Sequence, residues 1–123
     1  MDVVVTVPKG LWEEWTAEGD LAGEPWSEDF EYGFNLYGPY PHRLQPGDRV
    51  YIVAHGKLRG YSPLVGIEQR STRFGGSGRG FALIRHGDAE AVTITEPIRG
   101  FQGWRYRWWD RKDERPFADW QKP

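Results

Sequence analysis

The chain has 123 residues, a formal net charge of −2, seven tryptophans and no cysteine. That length predicts one domain spanning residues 1–123, with a core of its own. The lack of cysteine excludes disulfides and thiolate metal sites. No apolar run is long enough to cross a bilayer and the start has no basic leader, so we expect a cytoplasmic protein with no membrane partner.

Charge is distributed unevenly along the chain. Residues 1–45 carry nine acids and two bases, whereas residues 46–123 carry nine acids and fourteen bases. This asymmetry favours a polar binding face, although two solvated faces that segregate along the chain would give the same pattern. Seven Trp, six Tyr and six Phe exceed the needs of a small core. We therefore expect some of these rings to line a pocket.

The first part of the chain predicts a strand, a helix and a second strand. The β-branched run VVVTV within residues 2–7 is typical of a buried strand. Residues 9–18 place Trp12 and Trp15 at helical spacing, which predicts an amphipathic helix with both rings facing the core. Residues 30–37 are strand-like.

A hairpin in residues 45–68 is the predicted spine of the fold. Residues 46–48 (PGD) indicate a turn, and residues 49–54 alternate with the period of a strand. The run over residues 58–67 contains two glycines and a proline, which predicts a second strand with bends or bulges.

The remaining chain predicts short strands separated by turns. They lie at residues 81–84, 91–95 and 103–109, and the last has one aromatic and one basic face. Residues 70–80 form a glycine- and arginine-rich loop that either closes over a polyanion or simply connects two strands. The fold class expected is mostly β with α, a small β-pseudobarrel of about six strands with one or two flanking helices.

Motifs of catalysis and cofactor binding are missing from the sequence. No glycine-rich phosphate loop with its Lys and Ser/Thr occurs, and no serine lies in a nucleophile elbow. His42, His55 and His86 are dispersed without the carboxylate spacing of a metal site. We predict no metal, no cofactor and no catalytic residue from motifs alone.

Three motifs in order resemble a known superfamily. YGFN at residues 32–35, LQPGDRVYI at residues 44–52 and LVGIE at residues 64–68 follow the first strand and helix. This set resembles the PUA-like superfamily, in particular its EVE, YTH and ASCH branches. The resemblance implies a PUA-like fold related to nucleic acids. EVE and YTH members hold a flipped, often modified base in a pocket built by the segment before the PGD turn and the adjoining strands.

The function that this resemblance implies is a nucleic-acid-binding module for RNA or modified DNA. On this match, the resemblance implies that Asn35 occupies the place of the pocket's polar reader, and its amide can both donate to and accept from a base edge. The predicted base pocket consists of Trp26, Phe34, Asn35, Tyr37, Tyr61 and Ser62. The basic residues predicted to contact phosphates are Arg59, Arg70, Arg73, Arg79, Arg105, Arg107, Arg111 and Lys112. Ordinary surface charge, paired with the acidic first half, is the alternative for each of these bases.

Two other functions remain open at this point. Some ASCH members are amidohydrolases that use a Lys, a Thr and a Glu, and Lys9, Thr6 and Glu68 would then act on a modified nucleoside. A protein-interaction domain would instead dock a partner on an exposed tryptophan-rich face and would lack a deep pocket.

Overall fold

The fold is mostly β with one short α-helix, as expected. A computed structural model describes residues 1–17, 25–70 and 80–122, without the side chains of Phe30, Tyr37 and Arg70. The strands are β1 (Val3–Thr6), β2 (Ser27–Tyr37), β3 (Arg49–Ala54), β4 (Lys57–Arg70), β5 (Gly80–Gly87), β6 (Val92–Thr93), β7 (Trp104–Tyr106) and β8 (Arg115–Pro116). The helical elements are a 3₁₀ turn (Lys9–Leu11), α1 (Trp12–Ala17) and a second 3₁₀ turn (Arg111–Asp113).

Six strands form one sheet in the order β2-β5-β4-β3-β1-β7, and β6 pairs with β8 separately. β1 runs parallel to β3, and every other pair in the sheet is antiparallel. β2 and β7 are the two edges, so the described sheet is open rather than closed into a barrel. An open edge leaves backbone groups unpaired, and the cavity described below lies beside the β2 edge.

The two central strands are buried on both faces. On β3, Val50 and Ile52 belong to one apolar cluster, whereas Tyr51 and Val53 belong to a second cluster on the opposite face. On β1, Val4 belongs to the second cluster and its neighbours to the first. This two-sided burial explains why the β1 sequence is an unbroken β-branched run rather than an alternating one.

The predicted β3–β4 hairpin is confirmed, including its irregularities. His55 and Gly56 connect the strands with φ angles of 50° and 75°, the left-handed geometry that matches the twist of a two-residue hairpin. The register shifts between Ile52 and Val53, and again between Leu64 and Gly66 on the side that faces β5. These bulges let β4 continue through its glycines and its proline instead of breaking.

Two predicted strands are shorter than expected. The strand predicted over residues 91–95 is reduced to β6, and the one over 103–109 to β7. β7 pairs with Val3–Val5 of β1, so the short partner limits its length. The chain after β7 instead crosses the second face of the sheet, where Trp109 is buried with Ile94 and Ile98.

The predicted helix begins as a 3₁₀ turn at Lys9 and is α-helical from Trp12 to Ala17. Trp12 is 2% exposed and packs edge-on against Trp120, so its prediction as a core anchor is confirmed. Of the helices described, none has the length and apolar character needed to cross a membrane.

Candidate functional site

An open cavity of about 780 Å³ lies between the β2 edge and the segment that follows β1. Its walls come from four parts of the chain: the end of β1 with the helical segment, the β2 edge, the β3–β4 turn and the loop before β7. Among the described residues, the lining consists of Thr6, Val7, Pro8, Lys9, Leu11, Trp15, Gly33, Phe34, Asn35, Leu36, His55, Gly56, Gly100, Phe101, Gln102 and Gly103.

Three aromatic side chains line the cavity from different elements. Trp15 comes from α1, Phe34 from β2 and Phe101 from the loop before β7. The ring centroids of Trp15 and Phe34 are 5.6 Å apart, a tilted contact. All three side chains are partly buried, so each packs against the protein and also contributes to the cavity wall.

Asn35 lies beside Phe34 on the same wall. Successive residues of a strand point to opposite faces, yet both line this cavity. They do so because β2 is an edge strand and the cavity lies along that edge rather than over one face. The Asn35 side chain is exposed and forms no hydrogen bond with another described residue. Its amide donor and acceptor are therefore available to a ligand.

The charge of the cavity wall is small and positive. Lys9 is exposed, forms no ion pair within the described parts of the chain, and is the one charged side chain among the described lining residues. Burial, and then the charges of Arg59 and Lys9, lower the pKa of His55 from its ordinary value, so this imidazole is neutral at pH 7. A neutral or anionic ligand suits this wall better than a cation.

Two polar atoms of lining residues are buried without a hydrogen-bond partner in the described structure. They are the indole Nε1 of Trp15 and Nε2 of His55. Buried polar atoms are normally paired, but both of these atoms are closed to solvent and so are not counted among the groups that a ligand in the cavity can contact.

Of the predicted base-pocket residues, Phe34 and Asn35 lie at the cavity and Tyr61 and Ser62 do not. The Tyr61 side chain is buried on the second face, where its hydroxyl donates to the Glu90 carboxylate. Ser62 is fully buried and its hydroxyl accepts a hydrogen bond from Arg85 at 2.7 Å. Placing these two β4 residues in the pocket was wrong, since both side chains are used within the fold.

The other two predicted pocket residues are Trp26 and Tyr37. Trp26 stacks on the His86 ring, with centroids 5.2 Å apart and planes 21° from parallel, and does not line the cavity. The side chain of Tyr37 lies outside the described structure.

Arg59 is not a surface base, contrary to the prediction that it contacts phosphate. Its side chain is 1% exposed, and its guanidinium donates to the carbonyl oxygens of Ala54 at 2.9 Å, Trp120 at 3.1 Å and Lys122. The group therefore ties the C-terminal segment to the β3–β4 hairpin and is unavailable to an external anion.

Arg107 and Arg111 are also occupied within the protein. Both donate to the carboxylate of Asp2, at 2.9 Å from Arg107 Nε and 2.9 Å from Arg111 Nη2. The Asp2 carboxylate is buried, whereas the Arg107 and Arg111 side chains are 24% and 48% exposed, so these are partly buried ion pairs. Burial opposes ionisation of Asp2, but hydrogen bonds from the Arg49 backbone and from the two guanidinium groups lower its pKa overall.

The remaining predicted phosphate contacts divide into exposed and undescribed residues. Arg105 is exposed and its guanidinium carbon lies 4.4 Å from the centroid of the Phe101 ring, which places it next to the cavity. Lys112 is exposed and 3.8 Å from the carboxylate of Asp110. Arg73, Arg79 and the side chain of Arg70 lie outside the described residues, as does most of the predicted basic loop.

The hydrolase alternative is only partly assembled. Thr6 and Lys9 both line the cavity, and Thr6 Oγ1 accepts a 3.3 Å hydrogen bond from the backbone N–H of Phe101. Glu68 is exposed on β4 and is not among the described lining residues. The described part of the lining thus offers no carboxylate for acid–base chemistry. The interaction-domain alternative predicted an exposed aromatic face and no deep pocket; the cavity found is open to solvent, and this alternative stays a prediction.

Sequence reasoning missed Trp15, Phe101 and His55 as lining residues. Trp15 has the helical spacing of a core residue, and it does pack against the first apolar cluster with its other face. Phe101 lies in the sequence GFQG, and a lone ring between glycines is a usable signal of an aromatic side chain held on a loop. His55 gave no such signal.

Neither a metal site nor a known relative assigns a function to this cavity. Within the described residues, no three His, Asp or Glu side chains are grouped as metal ligands. No family model matches the chain, and comparisons with curated proteins and with solved structures find no significant match.

Proposed function

We propose that the chain is a nucleic-acid-binding module that holds one unstacked base, modified or unmodified, in the cavity beside β2. The observation that carries this proposal is the placement of the Asn35 amide among three aromatic rings in one open cavity. Its volume of about 780 Å³ falls within the range typical of small-molecule sites, about 300–1,000 Å³.

The chemistry of the wall fits a nucleobase. A base has flat faces that stack on aromatic rings and an edge that both donates and accepts hydrogen bonds. Trp15, Phe34 and Phe101 supply the rings, and Asn35 supplies an amide that pairs with either kind of edge group. Because His55 is neutral, it adds a polar group without the cost of confining a cation beside the base.

The charges around the cavity fit the phosphates of a nucleic acid. Lys9 lies on the wall and Arg105 lies over Phe101, and neither forms an ion pair in the part of the chain that the structure describes. Arg105 is therefore kept as a proposed phosphate contact and Lys9 is added, whereas Arg59, Arg107 and Arg111 are set aside.

The position of the cavity also agrees with the resemblance to PUA-like domains. Phe34 and Asn35 belong to the segment before the PGD turn at residues 46–48, where the resemblance implies the base pocket. The other walls come from segments that precede or follow the three motifs, so this agreement concerns the β2 wall.

Binding to labelled oligonucleotides tests the proposal. The probes are single-stranded DNA and RNA heptamers whose central base is each standard base or a methylated form, titrated first at low ionic strength and then with salt. Asn35→Leu should weaken binding of the preferred heptamer by about tenfold, because a bidentate base contact contributes about 1–3 kcal/mol.

Gln69→Leu is the matched control, since this amide is exposed on β4 and does not line the cavity. Its affinity should equal that of the unchanged protein. Failure of the unchanged protein to bind any heptamer at low ionic strength would overturn the proposed function.

A further inference from the structure

A strip of three side chains continues from the cavity onto the surface. Phe101 lines the cavity, the guanidinium of Arg105 lies over the Phe101 ring, and Trp108 contacts the same ring edge-on at 6.4 Å between centroids. Arg105 lies in β7, and Trp108 follows it by three positions, just after the strand ends. The strip is therefore contiguous with the proposed base site through Phe101.

Trp108 is not needed to fill the core at this position. It is 45% exposed, whereas its neighbour Trp109 is 8% exposed and donates its indole N–H to Glu114 at 2.9 Å. The two rings touch edge-on at 5.1 Å, so Trp109 supports Trp108 from beneath. The result is a large aromatic surface that is held in place and still open to solvent.

The arginines near this strip differ from the other arginines of the segment. Arg107 and Arg111 are committed to Asp2, whereas Arg99 and Arg105 are exposed and form no ion pair with any described residue. Unpaired guanidinium groups beside exposed rings are typical of surfaces that bind single-stranded nucleic acid, because the rings stack on bases and the cations contact phosphates.

We propose that this strip binds the nucleotide next to the one held in the cavity. Its base stacks on Trp108, and Arg105 contacts the phosphate that joins the two nucleotides. The inference rests on the proposed function and deepens it, because it specifies the ligand as a single strand of at least two nucleotides rather than a free nucleoside. A base-paired duplex does not fit, since its stacked bases cannot reach Trp108.

The test compares a heptamer with a mononucleotide that carries the same preferred base. Trp108→Ala should weaken heptamer binding about tenfold and leave mononucleotide binding unchanged, since stacking of one base on an aromatic ring has this magnitude. Trp108→Tyr should retain heptamer affinity within about threefold, because a ring is kept. Arg105→Gln should make the slope of log affinity against log salt concentration shallower for the heptamer, by the amount expected for about one phosphate contact.

Trp26→Ala is the matched control, because Trp26 is also solvent-exposed but stacks on His86 away from the strip. It should bind both probes normally. If Trp108→Ala binds the heptamer as tightly as the unchanged protein while Asn35→Leu does not, the strip is wrong and the proposed function stands. If the unchanged protein binds neither probe, the proposed function fails and this inference fails with it. An equal loss of both probes in folded Trp108→Ala would also overturn the inference, since the ring would then act on the cavity itself.

Discussion

The carboxylate of Asp2 accepts hydrogen bonds from Arg111, a residue 109 positions further along the chain. The same carboxylate accepts from Arg107 Nε and from the backbone N–H of Arg49. One buried anion therefore joins the start of β1, the start of β3 and the segment after β7. Two of the arginines that resemble a nucleic-acid surface in the sequence are structural partners of this anion.

Replacing Asp2 should destabilise the protein. Asp2→Asn removes the charge that two guanidinium groups contact, and because Arg107 and Arg111 are 24% and 48% exposed, water replaces part of the lost interaction and the cost should be about 1–3 kcal/mol. Urea unfolding at pH 7 measures the change. Asp119→Asn is the control, because Asp119 is exposed and, among the described residues, forms an ion pair with Lys122 alone; it should change the free energy of unfolding by less than about 0.5 kcal/mol. Equal stability of the two variants would contradict the role given to Asp2.

The same carboxylate predicts an acid limit of stability. The pKa of Asp2 is lower in the folded protein than its ordinary value of 3.8, so the unfolded chain takes up the proton first. Its contribution is therefore complete above about pH 4 and is lost as the pH falls through the lower folded value. The thermal unfolding temperature should fall between neutral and acidic pH, and this fall should be much smaller in Asp2→Asn than in the unchanged protein. A decline of the same size in both proteins would assign the acid sensitivity to other carboxylates.

Much of the fold follows from local patterns in the sequence. The period of two over Arg49–Ala54 gives β3 with the bounds found in the structure, because both faces of a central strand are constrained by packing. The lengths of β6 and β7 do not follow from such patterns, since the number of ladder partners on a neighbouring strand decides them. That the described sheet is open also does not follow from local patterns, because it depends on the order in which all six strands pair.

The candidate site was less accessible to sequence reasoning. Phe34 and Asn35 were expected at the site because the resemblance points to that segment, whereas Trp15 and Phe101 meet them only through tertiary packing. The arginines show the same limit, because nothing local to Arg59 or Arg107 reveals the carbonyls or the carboxylate that occupy them. Charge in a sequence does not tell which groups meet in space.

Arg59 should contribute to stability and not to nucleic-acid binding. Arg59→Met removes the donor to three carbonyl oxygens, two of them in the C-terminal segment, and should cost about 3 kcal/mol. The tail around Trp120 should then be cleaved faster by proteases. Arg115→Met is the control, because Arg115 is exposed and has no polar partner among the described residues, and its stability should be unchanged within about 0.5 kcal/mol. A folded Arg59→Met protein with reduced salt dependence of binding would contradict the assignment.

The turn between β3 and β4 should require its glycine. Gly56 has a φ of 75°, so Gly56→Ala places a β-carbon on a left-handed backbone. This strain should destabilise the protein by about 1–2 kcal/mol. Gly10→Ala is the matched comparison, since no atom lies within 4 Å of the new β-carbon and the backbone is not left-handed. It should be neutral or stabilising by up to about 1 kcal/mol. Chemical denaturation of both variants distinguishes them, and equal effects would show that the turn relaxes without cost.

Two tyrosines should resist ionisation at high pH. Burial, followed by a hydrogen bond to Glu114, raises the pKa of Tyr51, and burial followed by a hydrogen bond to Glu90 raises the pKa of Tyr61 to about 12. Because the folded values exceed the ordinary value of 10, this contribution to stability is complete below pH 10 and is lost as the pH rises towards 12 and beyond.

Ultraviolet titration of tyrosinate should therefore show a late transition from Tyr51 and Tyr61, together with unfolding. Tyr61→Phe should remove one of these late groups. Glu114→Gln should let Tyr51 ionise at lower pH, since the amide no longer holds the phenol proton as the carboxylate does. Ionisation of Tyr51 and Tyr61 near pH 10 in the folded protein would contradict their burial beside Glu114 and Glu90.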